Sequence, residues 1–425
     1  MKTTGINKHT LPVDGRPITW YSAVSGRTHL RRAMTDILGT CSVRLPASPG
    51  TRILLKPNLN NDLSALTGNA TDLRLLAAVI EVLQQRGYTN VVVGDGPNVG
   101  VYRKGIDVFE RLGVRALCAH YGVECVDLNH APVTEVRLAT GPVRVARLCL
   151  EAGFFLNLPK LKTHAEAGMS LALKSLIGCV SGTDKRLVHA DLPANIVALN
   201  EAIHPHLIIA DALIAMEGNG PGDGIPRRAD MLLAATDPFV LDLATARLFG
   251  LNPNTIPYLR VAARRGHFTE AGFDAVARLE PLLWLDPAPP RSALARLLDH
   301  SALAPLRDAT RAVHGQEWAR RLLHRLHILQ DVYEAQDARI ERLWLDTGRC
   351  TRCGLCLDYC PLGLDILAPG FDFQCPPCLR CLYCAQVCPE EAIQVEGDRG
   401  YLVRHFARYG DRVRRAAGRR PQVGE

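Results

Sequence analysis

Short apolar runs alternate with amphipathic segments between residues 50 and 250 of the chain. The runs RILL, VVV, FFL, LIIA and MLLAAT have the length and the continuous apolar character of strands that are buried on both faces. Segments such as TDLRLLAAVIEVLQQRG (71–87) repeat apolar residues at helical spacing and end in glycine. Strands that alternate with helices predict an α/β fold, with a mainly parallel sheet and helices on both faces.

Changes in this pattern divide the chain into five parts. The predicted parts are an N-terminal lead-in (1–49), an α/β domain (50–287), a helical connector without strand signals (288–345), a small cysteine-rich domain (346–398) and a basic tail (399–425). No apolar run reaches the roughly 18 to 20 residues that a membrane span requires. The first twenty residues also lack the apolar stretch of a secretory signal, so we expect a cytoplasmic protein with no membrane span.

Nine of the fourteen cysteines fall between Cys350 and Cys388. CTRCGLCLDYCP (350–361) and CLRCLYCAQVCP (378–389) both read Cys-x2-Cys-x2-Cys-x3-Cys-Pro, in which three thiolates hold one 4Fe-4S cluster and the fourth ligates the other. The stretch resembles bacterial dicluster ferredoxins, which implies two 4Fe-4S clusters in a small ferredoxin-like domain of βαβ repeats. The predicted ligand sets are Cys350, Cys353, Cys356 and Cys388 for the first cluster, and Cys378, Cys381, Cys384 and Cys360 for the second.

Two features of this domain stay open. Structural zinc is the alternative to iron. A zinc site needs only two Cys-x2-Cys pairs, however, and does not require the fourth cysteine followed by proline that both motifs contain. Cys375 could begin an alternative Cys-x2-Cys-x2-Cys series with CPPC (375–378). This series lacks the final x3-Cys-Pro of the motif, so we interpret Cys375 as a free thiol.

Lysine usage marks a second region. The chain has 42 Arg and only 8 Lys, yet NLPKLKTH (157–164) contains two lysines and another follows at position 174. Polar residues also follow each of the five apolar runs, and ligands bind outside the carboxyl ends of parallel strands. Because lysine is a compact charge whose pKa shifts readily, we expect a site at this edge that binds an anion or transfers a proton. The candidate catalytic residues are Lys160, Lys162, His164 and Asp95, and the candidate substrate-binding residues are Lys56, Asn58, Asn157, Lys174, Asp211, Glu217 and Asn219.

Nucleotides and nucleic acids are not expected as ligands. The glycine loops GDGP (94–97) and GNGPGDG (218–224) do not match the dinucleotide fingerprint, and no P-loop sequence is present, so no NAD or P-loop nucleotide is predicted. The net charge is +7, and the tail carries eight Arg against one acid between residues 399 and 420. No nucleic-acid-binding module accompanies this tail.

Five motifs carry a resemblance to a known family. LLKPN, GDGP, NLPKLKTH, IADALIAMEGNGPGDG and TDPFVLD resemble the family called domain of unknown function 362, over about residues 50 to 265. The chain departs from it at LKSLIG (173–178), where such proteins often read Lys-Asn. The resemblance implies a bacterial or archaeal protein with iron–sulfur clusters, since the family is often fused to ferredoxin modules, and it implies no substrate.

These observations favour an iron–sulfur oxidoreductase. It would pass electrons from a redox partner protein or another electron donor, through both clusters, to an anionic small molecule at the sheet edge. One alternative is an electron-transfer or cofactor-maturation partner protein without its own substrate. The other is a non-redox enzyme whose clusters serve structure or sensing.

Overall fold

The computed structural model describes residues 5–40, 45–289 and 333–418. The strands are β1 (Asn7–Val13), β2 (Arg16–Ser22), β3 (Ile53–Pro57), β4 (Val91–Asp95), β5 (Glu124–Asp127), β6 (Val133–Leu138), β7 (Gly141–Ala146), β8 (Phe154–Leu158), β9 (Lys160–His164), β10 (Gly168–Ser170), β11 (Leu207–Asn219), β12 (Asp223–Ala235), β13 (Arg339–Leu345) and β14 (Ile393–Asp398). The helices are α1 (Gly26–Thr40), α2 (Leu73–Gln85), α3 (Val99–Arg103), α4 (Val108–Arg111), α5 (Val114–Tyr121), α6 (Leu148–Glu151), α7 (Ala172–Ser175), α8 (Lys185–Val188), α9 (Leu192–Ala202), α10 (Pro238–Leu248), α11 (Pro257–Arg264), α12 (Glu270–Ala277), α13 (Leu355–Asp358), α14 (Tyr383–Val387) and α15 (Tyr401–Gly418).

One large sheet organises the α/β domain and confirms the predicted fold class. Its main path runs β1-β2-β12-β11-β8-β3-β4-β5, and β9 extends the sheet beside β11. The pairs from β11 through β8, β3 and β4 to β5 are parallel, whereas β1, β2, β12 and β11 pair antiparallel at the other end. The carboxyl ends of β3, β4 and β8 therefore meet at one edge.

Alternate residues of the central strands face two separate hydrophobic cores. Leu54 packs with α9 and α10 on one face, and Ile53 and Leu55 pack with α1 and α2 on the other. Both faces are covered, which explains why β3, β4 and β8 read as uninterrupted buried runs. Helix α2 begins at its N-cap Asp72, whose side chain accepts a hydrogen bond from the backbone N–H of Arg74.

Three predicted boundaries differ from the structure. The strand predicted to end at Asp211 continues to Asn219, because β11 and β12 form one long hairpin that keeps the backbone paired past the polar residue. Lys160 and Lys162, which follow the predicted strand that contains FFL, lie on a further strand, β9, since Pro159 only interrupts the extended backbone. Most of the predicted helical connector lies outside the described residues, and its last part, Arg339–Leu345, is a strand that pairs with β14.

The cysteine-rich domain and the tail join the core of the α/β domain. Tyr359 and Tyr383 belong to the same hydrophobic core as α2. The tail forms α15, whose buried Tyr409 donates a hydrogen bond from its hydroxyl to the carbonyl oxygen of Gly222 at 3.0 Å. Its arginines face outward in part, and Arg408 pairs with Asp223. In the described ranges, no helix combines the length and the apolar character that crossing a membrane requires.

Removing the Tyr409 side chain tests this docking of α15. We expect Tyr409→Ala to lower the free energy of unfolding by about 3 kcal/mol or more, because a fully buried aromatic ring is lost from the shared core. Arg415→Ala, at an exposed position of the same helix, should change it by less than about 0.5 kcal/mol. Urea unfolding followed by circular dichroism measures both, and equal effects would contradict the docked tail.

Candidate functional site

A cavity of about 410 Å³ opens where β3, β4 and β9 reach the edge of the sheet. We call it the sheet-edge cavity. Five of the eleven predicted site residues of the α/β domain line it: Asn58, Asp95, Lys162, His164 and Lys174. The side-chain atoms Asn58 Oδ1 and Asn60 Nδ2 are buried there without a hydrogen-bond partner in the described residues. Two unsatisfied polar atoms in a cavity wall indicate that a polar ligand or water completes the site.

Lys56 and Asp95 form a buried ion pair behind this cavity. The Lys56 ammonium lies 2.8 Å from Asp95 Oδ1, and the other carboxylate oxygen accepts the backbone N–H of Leu59 at 2.7 Å. Burial lowers the pKa of Lys56, but the Asp95 carboxylate more than offsets this and the pKa stands above its usual value. The close approach requires Gly178, where a Cβ atom would lie 2.2 Å from Asp95 Oδ1. Lys56 is therefore charged, and it positions Asp95 at the cavity wall.

Lys160 and Asp211 form a second buried pair, which does not line the cavity. The Lys160 ammonium lies 3.0 Å from Asp211 Oδ2 but outside hydrogen-bond alignment, so charge attraction holds the pair. Burial raises the pKa of Asp211 although Lys160 opposes the shift. Asp211 also accepts the backbone N–H of Asp72 at 2.7 Å. This pair links β9, β11 and the start of α2, which is a structural role.

Lys162 differs from both of these lysines because no carboxylate in the described residues lies within ion-pair distance of it. The side chain is 1% exposed, and its Nζ donates a hydrogen bond to the backbone oxygen of Asn69 at 2.6 Å. Burial lowers the pKa of Lys162 well below its usual value, and the nearby Lys174 and Lys160 lower it further, while the Asp95 carboxylate opposes the shift only in part. The amine is thus held close to other cations and away from water, which favours its neutral form.

Two further lysines line the same cavity. Burial lowers the pKa of Lys174 from its usual 10.5 to about 8, and Lys174 makes no hydrogen bond or ion pair in the described residues. Lys185 was not predicted from the sequence; its Nζ donates to Asn129 Oδ1 and to the backbone oxygen of Val180, and burial lowers its pKa to about 8. The only signal that could have identified it is that it is one of eight lysines in an arginine-rich chain.

His164 presents its imidazole ring to the cavity. Its Nδ1 accepts the backbone N–H groups of Glu166 at 3.1 Å and Ala167 at 3.2 Å. Because Nδ1 is an acceptor, the ring proton resides on Nε2. His164 is therefore arranged as a proton donor through Nε2.

The remaining predicted residues lie away from the cavity. Asn157 is fully buried behind it and accepts the Ser175 hydroxyl at 2.9 Å. Glu217 and Asn219 lie near the tip of the β11–β12 hairpin, where Glu217 accepts the backbone N–H of Asp286 at 3.3 Å. The hairpin carries these two side chains beyond the sheet edge.

The cysteine-rich domain brings its thiols together in two groups. Burial raises the pKa of the Cys356 thiol to about 11, and Cys353, Cys388 and Cys350 are the neighbours that raise it further. Burial likewise raises the pKa of the Cys384 thiol, and Cys381, Cys378 and Cys360 are its next strongest neighbours. This last set of four lines one small apolar cavity. The two neighbourhoods coincide with the two ligand sets that the motif predicts.

The two halves of this domain also repeat the same backbone geometry. Residues with positive φ occur in pairs that are 28 positions apart: Arg352 and Arg380, Gly354 and Leu382, and Gly363 and Glu391. Backbone N–H groups donate to the crossing thiols at equal offsets, Leu364 to Cys360 Sγ at 3.4 Å and Ala392 to Cys388 Sγ at 3.2 Å. Inward N–H groups of this kind stabilise the negative charge of cluster thiolates.

Among the described residues, no group of three or more His, Cys, Asp or Glu side chains is arranged to hold a single metal ion. Cys375 lies outside both sets, is exposed and donates to Asp372 Oδ2 at 3.0 Å.

Comparison with known proteins agrees with this division. Residues 53–247 match the family described as "Domain of unknown function (DUF362)", and residues 343–363 match the family described as "4Fe-4S binding domain". The chain is 35% identical over 231 residues to the "Thylakoid-associated protein sll1697" of Synechocystis sp., an alignment that covers 51% of this chain and 69% of that protein.

Two solved structures share a weaker likeness. The lactate racemase apoprotein from Thermoanaerobacterium thermosaccharolyticum is 13% identical with a TM-score of 0.34, covering 46% of this chain and 50% of that one. A structural genomics target from Thermotoga maritima is 14% identical with a TM-score of 0.29, covering 49% and 56%. The chain thus spans about half the length of each structure, and these similarities are too low to inform the activity.

The lowered pKa of Lys174 predicts how stability depends on pH. Below about pH 8 the lysine is charged in both the folded and the unfolded chain, so the folded state carries the full cost of a buried charge. Between about pH 8 and 10.5 only the unfolded chain keeps the proton, so this cost is relieved as pH rises. We expect Lys174→Met to raise the free energy of unfolding by about 1 to 3 kcal/mol at pH 7 and by much less at pH 10.

Urea unfolding at the two pH values measures this difference. Lys8→Met, at an exposed position on β1, is the control and should change stability little at either pH. A Lys174→Met variant that is destabilised equally at pH 7 and pH 10 would contradict the buried, uncompensated charge.

Proposed function

Because the chain belongs to the family described as Domain of unknown function (DUF362) and continues into a 4Fe-4S binding domain, we propose that it is an oxidoreductase that delivers electrons to an anionic small molecule in the sheet-edge cavity. The observation that carries the proposal is the excess of positive charge in the cavity wall. Lys174 and Lys185 line it without forming an ion pair in the described residues, and the carboxylates that also line it, Asp95 and Glu166, offset their charge only in part. A bound anion would supply the missing negative charge.

We propose that the cysteine-rich domain holds two 4Fe-4S clusters. Cys350, Cys353, Cys356 and Cys388 would hold the first, and Cys378, Cys381, Cys384 and Cys360 the second. The grouping of the thiols and the 28-residue repeat of the backbone support two clusters over one. When bound, each cluster supplies or accepts one electron at a time.

The second ligand set lies against the α/β domain, which supports a role in the reaction for this set. At Gly113, where φ is +74°, a Cβ atom would lie 3.2 Å from the Cβ of Cys381. The Tyr383 hydroxyl accepts the backbone N–H of Leu73 at 3.3 Å. By contrast, Cys353 of the first set is exposed. We infer that the second ligand set faces the sheet and that an electron donor approaches the first set on the side of its exposed thiol, Cys353.

Residues 58–72 contribute to the linings of two cavities, one at the sheet edge and one beside the second ligand set. Asn58 lines the sheet-edge cavity, whereas Thr71 lines another cavity of about 480 Å³ that also borders Cys378 and Cys381. The backbone N–H of Asn58 donates to Thr71 Oγ1 at 2.7 Å, and the Thr71 hydroxyl donates to the Leu158 carbonyl oxygen at 2.7 Å. These hydrogen bonds connect the linings of the two cavities directly, which supports electron transfer between them.

The cavity also supplies protons for a reduction. His164 carries a proton on Nε2, and Lys174, whose pKa is lowered to about 8, exchanges its proton near neutral pH. An anion that accepts electrons gains negative charge, and these two groups lie in the wall where that charge would develop.

Iron content tests the ligand assignment. We expect the protein purified without oxygen to contain about eight irons per chain and to lose visible absorbance on reduction with dithionite. Cys381→Ser should lower the iron content to about half, because it removes a ligand of one cluster of two. Cys375→Ser is the matched control, since this exposed thiol lies outside both sets, and should leave the iron unchanged. Equal losses in both variants would contradict the assignment.

Reoxidation by small molecules tests the activity itself. We expect one class among 2-oxo acids, other carboxylates and phosphate esters to restore the visible absorbance of the reduced protein faster than their neutral analogues do. Lys174→Gln should slow this reoxidation about tenfold or more, because a buried cation that faces the anion is lost. Lys8→Gln, an exposed lysine on β1, should not. If no anion accelerates reoxidation, the oxidoreductase proposal is wrong.

A further inference from the structure

The lysines at the sheet edge divide into two chemical types. Lys56 and Lys160 each lie next to a buried carboxylate, at 2.8 Å from Asp95 and 3.0 Å from Asp211. Lys162 is equally buried, but the nearest acceptor given by the structure is a neutral carbonyl oxygen, that of Asn69 at 2.6 Å. Buried charges are normally paired, so an unpaired buried lysine is better described as a neutral amine.

The surroundings of Lys162 strengthen this description. Lys174 and Lys160 are close enough to disfavour a further positive charge on Lys162. A neutral amine needs no counterion: it donates one N–H to the Asn69 oxygen and keeps its lone pair. A lysine desolvated beside other cations is the recognised arrangement of an amine nucleophile that reacts with carbonyl compounds.

We propose that the Lys162 amine is a nucleophile that forms an imine with the carbonyl group of an anionic oxo compound, such as a 2-oxo acid, bound in the sheet-edge cavity. The nitrogen forms a bond to the carbonyl carbon, the carbon–oxygen double bond is lost, and the oxygen leaves as water after taking up protons. Addition of water to the imine reverses the reaction and frees the lysine. No electrons are exchanged in either direction. The anionic character of the substrate rests on the proposed function, whereas the nucleophile does not.

Neighbouring groups in the cavity match the needs of this reaction. Lys174 faces the same cavity and forms no ion pair or hydrogen bond in the described residues, with the Glu166 carboxylate only near enough to favour its charge, so it is available for the carboxylate of the substrate. His164 holds its proton on Nε2, and the departing oxygen requires such a proton donor. Ser170 is buried and also lines the cavity. The site thus combines a nucleophile, an anion contact and a proton donor on β9, β10 and α7.

Trapping with sodium borohydride tests the inference. The cluster-loaded protein is incubated without oxygen at pH 7.5 with pyruvate or 2-oxoglutarate and then reduced, which converts an imine into a stable secondary amine. Peptide mass spectrometry locates the added mass. We expect Lys162 to be labelled at least about tenfold more than Lys8 or Lys104, because a neutral amine reacts and an ammonium does not.

Two variants separate this inference from the proposed function. Lys162→Met keeps an unbranched side chain without a charge but has no amine, so it should abolish labelling while iron content and reduction by dithionite persist. Lys174→Gln should lower labelling by the 2-oxo acids more than labelling by acetaldehyde, which has no carboxylate. Labelling at Lys162 without anion-dependent reoxidation would uphold the inference and reject the oxidoreductase.

Other outcomes overturn the inference. If the wild-type protein with its iron intact carries no label at Lys162, or no more there than at Lys8, the amine is not a nucleophile. If label appears only at Lys174, the nucleophile is assigned to the wrong lysine. Neither result affects the proposed reoxidation by anions, because that assay does not depend on imine formation.

Discussion

The cost of burying positive charge at the carboxyl edge of the sheet is the constraint on which the site depends. Five of the eight lysines lie there, and buried carboxylates pair with only two of them. An ammonium without a partner loses its hydration and gains little in return, so its pKa falls until the neutral form is accessible. Arginine does not lose its proton under such conditions, which gives a physical reason for lysine at these positions in an arginine-rich chain.

The same edge is where the iron–sulfur domain meets the α/β domain. Arg74 pairs with Asp72 at 2.7 Å and stacks on Tyr359 with its guanidinium 4.2 Å from the ring centroid, so the first turn of α2 contacts both domains. Asp72 in turn donates its backbone N–H to Asp211, the partner of Lys160. A continuous set of buried polar contacts therefore runs from the cysteine-rich domain to strand β9. Such a network fixes the position of the cysteine-rich domain relative to the cavity, since breaking one contact would leave a buried polar group without a hydrogen-bond partner.

The sequence predicted the parts of the structure that leave a local signal. Phe154–Leu158 reads as a buried strand because both of its faces are covered, and the duplicated cysteine motif follows from the fixed geometry of a cubane. Asp211 was wrongly predicted to end its strand. The pairing with β12 that prolongs the strand to Asn219 leaves no signal in the residues next to Asp211. Lys160 and Lys162 lie two residues apart on one strand but have different roles. Only the tertiary structure shows that Lys160 contacts a carboxylate and that Lys162 contacts a backbone oxygen.

A site that binds an anion and also uses a neutral amine has to keep the two functions on different lysines. An anion placed beside an amine stabilises its protonated form and so removes the lone pair, which means that the anion contact cannot be the nucleophile. Access to the cavity separates them here: Lys174 is the less enclosed of the two and has a pKa of about 8, whereas Lys162 is 1% exposed and lies near two other cations. A bound carboxylate would raise the pKa of Lys174 and so keep it charged, and this positive charge would further disfavour protonation of Lys162. Binding of the anion would therefore maintain the neutral amine at the moment when it is needed.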